Sequence, residues 1–352
     1  MGLSRGKSFL FGLVSIALGL LLALLICEAI LRLLGIGYGN APLVSDPVLH
    51  HVHPVNYRFV SHTPSNEYGG HEIYYDAQGL VANPEIDIPA ADSAANRVAF
   101  FGDSFTEAGQ VAYSESFVGR VANASEGKAL VKNFGVSSYS PILYLLLWRE
   151  KVMQFKPTHV IVMLYGNDIS DDTVRFEQAK LSDNGEILAL PGPGGGRLTH
   201  WLRKLYLARL IRKLQLQLQW TMQNTHQSDA VVGGMVEENP EITPLSSGLM
   251  EKLANEVNKT GAKLVLTVVP SKYRLSLSDK STYGIQFSER WQEWASQRGV
   301  RFVDLSSAFD LAASKEKSLF YEQDIHFNEN GHAVVAETLI NELPTVFGSN
   351  DE

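Results

Sequence analysis

The chain has 352 residues, 45% of them hydrophobic and 19% charged, enough for one sizeable α/β domain with attachments. A net charge of −8 leaves no basic footprint for nucleic acid, and no nucleic-acid motif occurs. The single cysteine, Cys27, lies in an apolar stretch, which excludes an intrachain disulfide and a cysteine-based zinc site.

The first predicted element is a membrane helix. Ser8 to Cys27 carries no charge and is dominated by Leu, Ala, Ile, Val and Phe. As a helix it is long enough to cross a bilayer core of about 30 Å. The run exceeds the about 7–15 apolar residues of a cleaved signal and lacks a small-residue cleavage site. Ile26 before Cys27 also does not suit a lipoprotein signal. Residues 1–7 contain Arg5 and Lys7, so the positive-inside rule keeps them cytoplasmic and makes 8–34 an uncleaved signal anchor. The expectation is a single-pass protein of the cell membrane with everything after Leu34 on the extracytoplasmic side, periplasmic or extracellular.

Residues 35–94, rich in Gly, Pro, Asn and His, read as an irregular approach segment that can wrap the domain. His50, His51 and His53 invite a metal reading, but zinc needs three or four converging ligands and no second motif flanks them. A solvated loop is the favoured reading, and no metal or cofactor is expected. From residue 95 to 345 strands and helices alternate, which predicts a three-layer α/β/α sandwich around a central parallel sheet. Val98 to Phe101 is the first strand. Helices follow over Glu115–Ala124, Pro141–Phe155, Leu249–Lys259, Glu289–Arg298 and Asn330–Leu343. Further strands fall at Ala129–Phe134, His159–Leu164, Lys263–Val269 and Arg301–Leu305. An insertion at about 180–244 opens with the flexible PGPGGG from Pro191, and residues 346–352 form a tail. No acid occurs between Glu186 and Asp229. On one continuous helical wheel, however, Leu198, Trp201, Leu202 and Leu205 face away from Leu207, Leu210, Ile211 and Leu214. The insertion is left between a helical lid or partner surface and plain packing.

Four separated blocks carry the chemistry: RVAFFGDSFTE from Arg97, NFGVSSYS from Asn133, LYGNDISDD from Leu164 and DIHFNENGH from Asp324. In the first, a buried strand stops at Gly102 and delivers Ser104 to the sheet's carboxyl end, where ligands of open α/β sheets bind. A serine needs a base, and His326 with Asp324 supplies one. Residues two apart in an extended loop share a side, so Asp324 can hold Nδ1 and leave Nε2 for Ser104. Glu322 shares that face but is the farther carboxylate. Together and in this order the blocks resemble the SGNH (GDSL) hydrolase family, from about Arg97 to the C-terminus.

The resemblance implies a flavodoxin-like fold and an ester hydrolase with Ser104 as nucleophile, His326 as base and Asp324 as its orienting acid. It also implies an oxyanion hole built from the N–H of Ser104, the N–H of Gly135 and the amide of Asn167. Many members space the acid three residues before the histidine, and many carry glycine where this chain has Ser138. Asp168, Asp171 and Asp172 read as a solvated loop, His332 as a helix-surface residue, and Asp103 as a turn former. The leading expectation is a membrane-anchored serine esterase cleaving short acyl groups from an ester, such as an acylated carbohydrate or lipid, through an acyl-serine intermediate. The alternatives are an O-acyltransferase acting on an envelope polysaccharide and a non-catalytic envelope module that kept the fold.

Overall fold

The structure, a computed structural model, describes residues 5–34, 43–63, 65–83, 96–193, 201–202, 204–223, 240–276 and 285–347. Helix α1 (Arg5–Leu33) comes first. It contains a 23-residue span, Phe11–Leu33, of mean hydropathy 2.6, apolar and long enough to cross a membrane, with none of it buried. Strands β1 (Val44–Asp46) and β2 (His50–Val52) form a hairpin, followed by β3 (Tyr57–His62), β4 (Gly69–Tyr75) and β5 (Val81–Ala82).

The domain proper alternates as expected. In order come β6 (Asn96–Phe101), a short helix α2 (Ser104–Glu107), α3 (Phe117–Ala124), β7 (Ala129–Asn133) and α4 (Pro141–Leu147) with a π-helical turn to Val152. Then follow β8 (His159–Leu164), α5 (Asn167–Phe176), a hairpin of β9 (Lys180–Leu181) and β10 (Ile187–Ala189), and α6 (Tyr206–Gln223). The last elements are α7 (Pro244–Lys259), β11 (Lys263–Val268), α8 (Ile285–Gln297), β12 (Arg301–Val303), α9 (Ser306–Ala313) and α10 (Glu329–Glu342).

Strands β7, β6, β8, β11 and β12 lie side by side in that order and are parallel. In chain order this is 2-1-3-4-5, the flavodoxin-like winding whose switch point falls between β6 and β8. Val98–Phe101 and Val160–Leu164 are buried throughout, because helices cover both faces of the sheet. One face packs Leu143, Leu146, Leu253, Val257 and Trp291 from α4, α7 and α8. The other packs Phe117, Val121, Phe309, Val335 and Leu339 from α3, α9 and α10.

The approach segment is not irregular where it is described. Strands β5, β4 and β3 extend the sheet antiparallel beyond β7, giving eight strands, joined by the single pair Val81↔Asn133. Alternate burial along β3 and β4, with Phe59, Ile73 and Tyr75 inside, supplies the packing that holds them. His51 and His53 are buried, not solvated. The hairpin β1/β2 is zipped to the start of the insertion by His50 N–H to the Leu190 carbonyl at 2.7 Å and Leu190 N–H to the Val48 carbonyl at 2.8 Å.

His332 is likewise an interior residue rather than a surface one: 1% exposed, it accepts the Phe117 N–H on Nδ1 at 3.3 Å and stacks on the Phe117 ring. Burial, with the charges of His326 and Arg120, pushes its pKa down to about 3 from the ordinary 6.5. The unfolded chain therefore binds a proton that the folded one refuses. The His332 contribution to stability is complete above about pH 6.5 and is lost as pH falls toward 3. His332→Gln, whose amide oxygen can still accept the Phe117 N–H, is expected to lose less stability than the parent between pH 7 and pH 4. Urea titrations of both proteins at the two pH values measure the difference, with all other titrating groups in common.

Candidate active site

The carboxyl ends of β6, β7 and β8 open onto one place. Gly102 lets the chain turn out of β6, since a Cβ there would lie 2.0 Å from Thr106 Oγ1 and 3.0 Å from the Met163 carbonyl. Asp103 caps α2 by accepting the Phe105 N–H at 2.9 Å, leaving Ser104 as the first helical residue. Its backbone N–H is one of the donors that a helix start leaves without an internal partner. Buried beneath the turn, Asp103 is pushed up to about 6 by desolvation, which the Phe105 N–H and the charge of His326 oppose.

Ser104 Oγ lies 2.7 Å from His326 Nε2. The other nitrogen, Nδ1, is bonded to Asp324 Oδ1, which also accepts the His326 backbone N–H at 2.9 Å. Asp324 Oδ2 takes the Tyr68 hydroxyl at 3.2 Å. Burial alone would raise the Asp324 pKa, but the hydrogen bonds and charge of His326, with the Tyr68 hydroxyl, outweigh it and hold the carboxyl below its ordinary value. Glu322 is exposed and contributes only backbone here: its N–H meets Glu67, and its carbonyl accepts Lys272 Nζ at 2.9 Å. Lys272 Nζ also donates to the Asp324 carbonyl at 2.9 Å. The Phe105 ring packs against that of His326, centroids 4.8 Å apart.

Asn167 opens α5 directly after β8, with Tyr165 packed on Phe105 at 4.8 Å. Its Oδ1 is buried without a partner among the described residues. Two of the neighbouring acids, Asp168 and Asp172, are interior, contrary to the solvated-loop expectation, while Asp171 is partly exposed. Asp168 accepts the Tyr144 hydroxyl at 3.2 Å and the Tyr165 N–H at 3.3 Å, and Asp172 caps α4 through the Ile142 N–H at 3.0 Å. Burial, then the charges of Asp103 and Asp172, raises Asp168 well above its usual range. Asp171 pairs with Arg175 at 3.1 Å.

Gly135 departs from expectation. Its N–H is donated to Asn133 Oδ1 at 2.8 Å, inside its own turn. The absent Cβ serves packing: one added there would lie 2.5 Å from Glu107 N and 2.7 Å from Thr106 C, both backbone atoms of α2. Three residues on, the exposed Ser138 adopts φ 61°, and its N–H meets no acceptor among the described residues. Gly135→Ala is therefore expected to lower stability by about 1–3 kcal/mol, the usual cost of forcing atoms into a packed site. Thermal melts read it; an unchanged melting temperature would remove the packing role.

Sequence reasoning missed what holds this turn. Glu107, 8% exposed, accepts the Tyr75 hydroxyl at 2.7 Å on Oε1, with His53 Nε2 3.2 Å away, and the Ser137 N–H at 2.7 Å on Oε2. Desolvation would raise its pKa, yet the His53 charge and the hydrogen bonds of His53, Ser137 and Tyr75 hold it at about 2. An ionised carboxylate thus ties the nucleophile's helix, the β7 turn and the approach strands together. An acid three residues after Ser104 was its only trace in the sequence. For Tyr68, Glu67 and Lys272 there was none.

A model of the GDSL-like lipase/acylhydrolase family matches residues 100–334, more than half of the chain and all of the four blocks but Arg97–Ala99. The chain belongs to that family. It is an ester-bond hydrolase of the SGNH type. Among solved structures it is similar to an acetylxylan esterase from Geobacillus stearothermophilus, at 15% identity and TM-score 0.42, covering 71% of this chain and 94% of that one. It is also similar to an α/β hydrolase from the metagenome of Lake Arreo, Spain, at 15% identity and TM-score 0.43, covering 72% and 97%. Comparison with curated proteins gives no match.

Proposed function

We propose that this acylhydrolase is a membrane-anchored, extracytoplasmic serine esterase that removes short acyl groups through an acyl-serine intermediate. The observation that carries the reading is the continuous chain from Ser104 Oγ to His326 Nε2, at 2.7 Å, and from His326 Nδ1 to Asp324. With Nδ1–H directed at Asp324, Nε2 accepts the Ser104 proton as Oγ attacks the ester carbonyl. The imidazolium so formed faces the ionised Asp324. It then returns the proton to the departing alcohol, and water repeats the sequence on the acyl-serine.

Charge developing on the carbonyl oxygen needs fixed donors. The Ser104 N–H at the start of α2 and the Asn167 amide at the start of α5 supply two. Because the Gly135 N–H is already given to Asn133, the third donor in this reading is the N–H of Ser138. A side chain at Ser138, where many members of the family carry glycine, supports a short acyl group. A fluorophosphonate probe tests the assignment: labelling is expected on Ser104 alone, and labelling elsewhere or nowhere would overturn it.

The anchor reading rests on the 23-residue span of α1 and on Arg5 and Lys7 before it. A reporter fused after Glu352 is expected to be active only outside the cytoplasm, with the protein in the membrane fraction. Activity of a cytoplasm-dependent reporter would reverse the topology.

A further inference from the structure

Helix α6 is held at its start by the end of α1. Glu28 accepts the N–H groups of Tyr206 at 3.1 Å and Leu207 at 2.8 Å, partnering two donors that a helix N-terminus leaves open. Arg32 lies over the Tyr206 ring at 4.8 Å and donates to the Lys204 carbonyl at 3.1 Å. From there α6 runs beside β3, the edge strand of the sheet. Arg209, buried, donates to the Tyr57 hydroxyl at 2.6 Å, and the charge of Lys213 acts on His62 at the far end of β3. One side of α6 is thereby committed to the domain.

The other side carries Ile211, Leu214 and Leu218, exposed at 57, 55 and 58%. At 3.6 residues per turn they point about 140–200° away from Arg209, and their spacings of three and four make them one stripe. The single-wheel objection to such a stripe fails on a local fact. The chain breaks in a turn at Lys204 and Leu205, so Trp201 and Leu202 belong to a different element from Tyr206–Gln223. Scattered exposed leucines are ordinary, but this stripe begins where a membrane span ends. The charge of Arg32 is taken up by Glu28 at 2.7 Å, but Lys204 and Arg212 are exposed, and no acid occurs between Glu186 and Asp229. Apolar residues on one side with basic ones beside them suit a surface of anionic headgroups.

We propose that Ile211, Leu214 and Leu218 lie in the headgroup layer of the bilayer that α1 crosses, making α6 an interfacial helix that seats the catalytic domain on the membrane. The proposal rests on the membrane-anchored reading above. Because β3 and β4 are paired and Tyr68, just before β4, touches Asp324, such seating keeps the catalytic residues close to the lipid surface.

The test uses the full-length chain carrying Cys27→Ser, reconstituted into vesicles of phosphatidylcholine and phosphatidylglycerol. Single cysteines at Leu214→Cys, Leu22→Cys and Leu188→Cys carry a nitrobenzoxadiazole fluorophore; Leu22 lies within α1 and Leu188 is exposed on the domain. Expected is a blue-shifted emission at 214 relative to 188, quenched more by headgroup nitroxide lipids than by deep ones, with 22 quenched by the deep ones. Emission at 214 like that at 188, while 22 is still quenched by lipid, overturns the proposal and leaves the anchor standing. A blue shift at 214 that no lipid quenches also overturns it, in favour of a protein covering the stripe. Absence of quenching at 22 removes the anchor reading and the proposal with it.

Discussion

Ser104→Ala reduces p-nitrophenyl acetate hydrolysis to the background rate while the protein stays folded. In a serine-histidine-acid triad that serves as the general template, loss of the nucleophile costs about 10⁶ in kcat, and a similar loss is expected here. The substitution disturbs little else. Ser104 is the first residue of α2, where alanine is a good helix former, and the cap on that helix is the Asp103 side chain, which is untouched. The ring of His326 loses one contact at 2.7 Å but keeps Asp324 on Nδ1 and Phe105 against its face. Circular dichroism and the melting temperature should match the parent, and the fluorophosphonate label should vanish. Turnover within about tenfold of the parent, equivalent to about 1.4 kcal/mol, would remove Ser104 as nucleophile.

The second large effect is expected of Asp324→Asn, at about 10³ in kcat. In the template triad the same change costs about 10⁴ because the amide turns the histidine into the wrong tautomer. Here Oδ1 accepts both the His326 backbone N–H and Nδ1, while Oδ2 meets the Tyr68 hydroxyl. An asparagine in the same pose keeps its oxygen toward the histidine and its amide toward the Tyr68 oxygen. The tautomer is then retained and only the charge facing the imidazolium is lost, so the penalty is smaller. Glu322→Gln should remain within tenfold, since the Glu322 side chain is exposed and only its main chain contacts this loop. A crippled Glu322→Gln beside a near-normal Asp324→Asn would transfer the orienting role to Glu322.

Several features of the chain were legible because their causes are local. A four-residue apolar run ending at Gly102 specifies a covered strand and a tight exit from it, whatever lies around it. The alternation of apolar runs and amphipathic stretches after residue 95 specifies parallel strands with covering helices. A 20-residue uncharged stretch at the N-terminus specifies a helix for an apolar medium. Even the pairing of Asp324 with His326 follows from two residues of spacing in an extended loop.

The tertiary structure decided the rest, for three physical reasons. Contacts across the chain leave no periodic trace: Tyr68 meets Asp324 across 256 residues, and Glu107 meets His53 and Tyr75 from the approach segment, whose strands are short and whose composition, rich in Gly, Pro, Asn and His, read as loop. Burial of a polar group is set by what packs over it. Asp168, Asp172, His51, His53 and His332 are interior only because helices or strands close above them, while their composition by itself suggests solvent. Finally, which donors remain free is a matter of turn geometry. The sequence by itself determined that a serine, a histidine, an aspartate and an asparagine would stand at strand ends and loops of one parallel sheet. Only the folded β7 turn, with the Gly135 N–H given to Asn133 and φ 61° at Ser138, decided which backbone donor is left open beside them, because one hydrogen bond within the turn takes an N–H out of use.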